Sequence, residues 1–129
     1  MSDRSRAGVR LPQLPGSRPK EEAIHRAVVE LLARTARPGV AWTHMPAGEA
    51  RGPGLGGKLK GMGTKPGWPD LILIREGQLY GLEVKRESGR LSPAQIAAHE
   101  ELSPAGATVV VAYGLDEAIK VLRGWEMIR

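Results

Sequence analysis

Within the stretch "GWPDLILIREGQLYGLEVKRE" (67–87), Asp70, Glu83 and Lys85 have types and spacing that can do chemistry. Two apolar segments flank Glu76-Gly77, which reads as a two-residue hairpin turn. With that turn, residues whose numbers sum to 153 face each other, so Arg75 faces Gln78 and Asp70 faces Glu83. Side chains alternate with period two, placing Asp70, Ile72 and Ile74 on one face with Leu79, Gly81, Glu83 and Lys85. Two carboxylates and an ammonium then converge. Directly opposed like charges destabilise a sheet. A hard divalent cation, which takes carboxylate oxygens and water, answers that repulsion and leaves Lys85 for another role. The competing reading is a cross-strand ion pair at the surface. The neighbours Ile72, Ile74 and Leu79 place the charges at the rim of a buried surface and favour the metal.

These strands need elements to position them. From Pro19 the pattern is helical, with Ile24, Ala27, Val28, Leu31 and Leu32 at three- and four-residue steps, ending near "TARPG". Glu21 falls inside the apolar stripe of this helix and Glu22 about 100 degrees away. Glu21 is therefore a candidate third carboxylate, its alternative being a first-turn acid that favours the helix dipole. "VAWTHM" reads as a short strand. "LSPAQIAAHEEL" opens as a second helix, with Ser92 as N-cap, Pro93 at the first position and Gln95 as capping-box partner. "ATVVVAY" is continuous apolar sequence of the kind covered on both faces. "LDEAIKVLRG" is a last amphipathic helix, with "WEMIR" as a possible edge strand. A strand-helix-strand succession requires a right-handed parallel crossover, so the sheet is expected to be mixed and sandwiched by helices.

The whole is bounded by 129 residues, enough for one domain with its own core. Residues 1–18, rich in Arg, Pro, Gly and Ser, are expected to be a flexible basic arm, and 19–129 the domain. Without cysteine there is neither a disulfide framework nor a thiolate zinc site. No apolar run is long enough for a membrane span, and the first residues lack the apolar centre of a signal peptide, so a cytoplasmic location without membrane attachment is expected.

The net charge of +5 favours polyanionic partners, nucleic acid above all. The Gly-rich loop "PAGEARGPGLGGKLKGMGTKPG" carries Arg51, Lys58, Lys60 and Lys65, which suit a DNA backbone, the alternative being a solvated loop. Ser92 joins them as a candidate DNA contact. Scarce aromatics and the lack of Phe argue against a base-stacking platform. "GPGLGGKL" almost fits a phosphate-cradling loop, but Leu59 stands where Ser or Thr would hold Mg2+, so no nucleotide cofactor is expected. His25, His44 and His99 have no metal-ligand spacing. His25 and His99 read as helix-surface residues, and His44 receives no assignment.

"GWPD", twelve intervening residues and then "EVK" resemble the Pro-Asp, Glu-x-Lys signature of the restriction-endonuclease-like nucleases. From about Pro19 onward the chain is most similar to the VRR-NUC family, the virus-type replication and repair nucleases, through "HMPAGEAR", "KGMGTKPGWPD", "GLEVK", "GRLSPAQ" and "GATVVVAYGLDEA". The resemblance implies an α/β fold with a restriction-endonuclease-like core, α-β-β-β-α-β and a C-terminal helix. It implies Mg2+- or Mn2+-dependent DNA hydrolysis, selective for branched or four-way DNA, in phage- or prophage-type replication, recombination or repair.

Carried over by position, Asp70 and Glu83 become metal ligands, Val84 lends its carbonyl and Lys85 is the catalytic lysine. Glu21 matches the acid of the first helix, and Gln95 a residue that orients the site. Ala47 departs from the Asn usual after the Pro of the His-x-Pro segment. Similarity to junction-resolving enzymes implies a homodimer, since paired cuts need two sites. A non-catalytic DNA-binding module that kept the fold is the alternative, disfavoured because Asp70, Glu83 and Lys85 are all intact, where a retired site should lose residues that repel each other without metal.

Overall fold

The computed structural model describes residues 20–46 and 61–129. Helix α1 (Glu21–Thr35) forms because Ile24, Val28 and Leu32 recur every fourth residue and bury on one side. Its outer side carries the Glu22–Arg26 and Glu30–Arg34 pairs, with the acid N-terminal to the base as helix geometry favours. Strand β1 (Val40–His44) follows, and then the hairpin of β2 (Leu71–Arg75) and β3 (Gln78–Lys85). The register is the one the turn requires, Leu71 opposite Leu82 and Arg75 opposite Gln78. Glu76 and Gly77 both adopt positive φ, 52° and 78°, the conformation that matches the twist of two antiparallel strands.

Helix α2 (Pro93–Leu102) starts on a complete capping box. Ser92 Oγ accepts from the Gln95 amide at 3.1 Å and Gln95 Oε1 accepts from the Ser92 amide at 2.8 Å. This helix is the crossover to β4 (Thr108–Tyr113), which pairs parallel with β3, and α3 (Leu115–Gly124) completes the described elements. Among the described residues the sheet order is β1-β2-β3-β4, mixed, with three helices around it. The α-β-β-β-α-β order and the final helix agree with the sequence expectation.

Two local expectations are corrected. β4 is an edge strand, so of its six residues only Ala112 is fully buried and Val109, Val110 and Val111 are half-buried. "WEMIR" does not form a strand. Ile128 makes a single bridge to Ala36, while Met127 and Ile128 bury into the core.

That core lies on one side of the hairpin. Leu71, Leu73, Leu82 and Val84 are fully buried and meet Ile24, Val28 and Leu32 of α1 and Ala118 and Leu122 of α3. Each such leucine contributes roughly 1.5–3 kcal/mol by leaving water. The opposite side is thinner. Ile72 is half-buried and Ile74 is 44% exposed, so Asp70 and Glu83 do not adjoin a uniformly buried apolar surface on this face as expected. Instead α2 covers it locally, over β3.

Candidate active site

Asp70 is placed by the three residues before it. Pro69 is buried and packs across Gly81 on the neighbouring strand, where any Cβ would lie 2.7 Å from Pro69 Cγ. Gly67, at φ +86°, leans on the first turn of α2 so closely that a Cβ would collide with the Ala94 carbonyl. The two glycines let the Gly-Trp-Pro-Asp segment lie between sheet and helix. Asp70 is then anchored twice: its carbonyl accepts from Met45 N and its Oδ2 from Val84 N, both at 2.7 Å.

Glu83 sits on the adjacent strand with no exposure to solvent. Its carboxyl pKa is pushed up from 4.5 to about 9, first by burial and then by a hydrogen bond and charge repulsion from Asp70, with Glu21 adding to the rise and Lys85 opposing it. Asp70 and Glu83 therefore lie together on one side of the sheet, as the register required. Gln95 Nε2 donates to Glu83 Oε2 at 3.1 Å, while Glu83 Oε1 is buried without a hydrogen-bond partner.

Lys85, also buried, extends its Nζ to 3.6 Å from Glu21 Oε1. Glu21 is thus the α1 acid that turns toward the site, whereas Glu22 pairs with Arg26 at 2.9 Å on the outside. Asp70, Glu83, Lys85, Glu21 and Gln95 come from four separate segments into one locality. Among the described residues no group of three or more His, Asp or Glu side chains is gathered closely enough to hold a metal ion. The carboxylates form a pair, and Glu21 is drawn to Lys85.

A divalent cation nevertheless fits the donors present. A buried carboxylate oxygen without a partner, beside a second carboxylate, is a costly arrangement that a hard cation satisfies, with water completing its shell.

The remaining candidates fall elsewhere. Arg51, Lys58 and Lys60 lie outside the described residues, as do Ala47 and the arm at 1–18. Lys65 is exposed and bound to Glu101 at 2.7 Å. The Ser92 hydroxyl is engaged as the helix cap. Beside the site a cleft of about 790 Å³ opens along α1 and β1, lined by Glu21, His25, Arg26, His44, Met45 and Asp70 among others. Across it the His25 and His44 rings meet edge to face, 5.2 Å apart.

His99 corrects the sequence reading, for it is not a surface residue. Its side chain is 15% exposed and its Nε2 stands 3.8 Å from Glu83 Oε1. Burial lowers its pKa, against the pull of Asp70. The signal that finds it is helical spacing, because a residue four beyond Gln95 shares its face. Gly67 and Gly81 were also missed, since only the assembled strands show what crosses them.

The fold and the Pro-Asp, Glu-x-Lys arrangement define a restriction-endonuclease-like nuclease fold. The sequence profile of the VRR-NUC domain matches residues 19–116, and the chain belongs to that family. A solved structure titled "VRR_NUC domain protein" is 28% identical, superposes with a TM-score of 0.65, and covers 81% of this chain and 85% of its own. A second, titled "VRR_NUC domain", is 21% identical with a TM-score of 0.56, covering 81% and 96%, and supports the fold alone. No curated protein matches as a relative. Membership in a nuclease family implies DNA as substrate. Among the described residues no helix is long and apolar enough to cross a membrane.

Proposed function

We propose that the protein is a metal-dependent DNA endonuclease that hydrolyses phosphodiester bonds, selects branched or four-way DNA, and acts in phage- or prophage-type replication, recombination or repair. The observation that carries the reading is the meeting of Asp70 with a fully buried Glu83, with Lys85 close by. Asp70, Glu83 and the Val84 carbonyl would hold Mg2+ or Mn2+, with Glu21 as a further acid at the edge of the site. When bound, such an ion neutralises charge on the phosphodiester oxygens and acidifies water.

The protein's own groups do the rest. Lys85 offers its ammonium to the attacking water or to the phosphoryl oxygens, where negative charge grows in the transition state. Glu21 keeps that ammonium in place from 3.6 Å. Gln95 fixes the orientation of Glu83 through Oε2. The cleft beside Asp70 leaves room for a sugar-phosphate segment, and Arg51, Lys58, Lys60, Lys65 and Ser92 are proposed contacts to the DNA backbone. The domain is taken to be 19–129, a homodimer because paired cuts need two sites, and intracellular.

The test is to incubate the protein with single-stranded, linear duplex, flapped and four-way DNA in Mg2+ or Mn2+, with chelator controls. Cleavage is expected only with metal and best on branched DNA. Asp70→Asn and Lys85→Ala are expected to lose at least about a hundred- to thousandfold in rate while remaining folded. Binding without cleavage in every condition would instead favour the non-catalytic DNA-binding module, and turnover retained in either variant would refute the site.

A further inference from the structure

Glu83 Oε1 and His99 Nε2 are both buried, both lack a hydrogen-bond partner among the described residues, and face each other at 3.8 Å. A shortening of about 0.8 Å would bring them to hydrogen-bond length. Helix α2 puts them there. Gln95 and His99 are four residues apart on one face, and Gln95 already donates to the other oxygen of the same carboxylate. One capped helix therefore aims two side chains at the two oxygens of Glu83. Each oxygen has room for more than one partner, since a carboxylate offers about four lone-pair sites.

The geometry points to His99 as a positioning residue: its Nε2–H closes on Glu83 Oε1 when that carboxylate takes a divalent cation together with Asp70, fixing both oxygens from α2. The inference rests on the reading of Asp70 and Glu83 as the metal pair. Held at Oε2 alone, the carboxylate can swing about its terminal bond. Held at both oxygens, it presents a fixed donor. Outer partners of this kind typically change metal affinity by about 10–100-fold.

The experiment measures Mn2+ binding to the full chain without DNA, by electron paramagnetic resonance of the free ion and by the Mn2+-induced shift in Tm. The proteins are wild type, H99L, H99N, H99Q and D70N. Leucine removes the donor, asparagine keeps an amide too short to reach, and glutamine returns an amide nitrogen close to the position of Nε2. H99L and H99N are expected to lose about 10–100-fold in Mn2+ affinity, with H99Q within about threefold of wild type.

Should H99L fail to fold, H99N decides, because it keeps a polar side chain in the same polar environment. Wild-type affinity in H99N with binding lost in D70N overturns the role of His99 and leaves the metal pair standing. Equal losses in H99N and H99Q mark a steric role and overturn it too. Wild-type affinity in D70N, or none in wild type, removes the metal pair and the inference with it.

Discussion

The two faces of the β2–β3 hairpin are built from alternate residues of the same two strands, yet they answer to different physics. Leu71, Leu73, Leu82 and Val84 point into a closed apolar layer with no exposure at all. Offset by one residue, Asp70, Glu83 and Lys85 point the other way, where a carboxyl group and an ammonium are buried close to a second carboxylate. One face supplies the free energy that holds the chain folded, and the other uses part of that stability to keep like charges together. A one-residue register slip would exchange the two faces, so the Glu76-Gly77 turn that fixes the pairing also fixes the site.

The comparison breaks most directly on the apolar face. Leu82→Ala is expected to cost about 2–5 kcal/mol by leaving a cavity among α1, α3 and the sheet. Urea denaturation would register it, while metal affinity per folded molecule stays near that of wild type. A loss of affinity without loss of stability would show that the faces are not separate.

On the polar face the expected effect depends on pH. The Glu83 carboxyl binds its proton more tightly in the folded chain, at about 9, than the ordinary 4.5. The folded state therefore keeps a proton that the unfolded chain has lost across that window. In chelator, the stability this group contributes is complete below pH 4.5 and falls as the pH rises toward 9. Glu83→Gln should flatten the slope and leave the protein more stable than wild type at pH 8, measured by urea midpoints. Mn2+ should restore stability to wild type at that pH and not to the variant. Parallel pH profiles for the two proteins would remove burial of this carboxyl as the cause.

The smallest effect belongs to the solvent side of α1. Arg34→Ala breaks a pair with Glu30 whose side chains are both more than two-thirds exposed. Its expected cost is about 0.5 kcal/mol or less, with cleavage unchanged. A larger loss would mean that α1 depends on its surface charges as well as on Ile24, Val28 and Leu32.

What could be read in advance divides along local and non-local lines. The hairpin register followed from one turn and period-two alternation, so the juxtaposition of Asp70 and Glu83 was legible before any coordinates. Glu21 followed from its place on the wheel beside Ile24 and Val28, and the α2 start from Ser92, Pro93 and Gln95. His99 escaped because α2 is rich in alanine and shows no strong apolar stripe, so no face of it declared itself buried. It becomes visible once Gln95 is assigned to the site and one helical turn is counted forward. Gly81 and Gly67 were illegible for another reason, since Pro69 and the Ala94 carbonyl reach them only through tertiary packing. β4 looked doubly covered because Val109–Val111 are all apolar, and no local pattern tells an edge strand from a central one.

Gln95 holds the first turn of its helix with one end of its amide and Glu83 with the other. A single planar group thus works as a mechanical linkage, so that fraying of that helix end, by heat, denaturant or a distant substitution, would be transmitted to the orientation of the Glu83 carboxyl. Activity in this protein should consequently decline ahead of global unfolding, with the start of α2 as the place where the two processes meet.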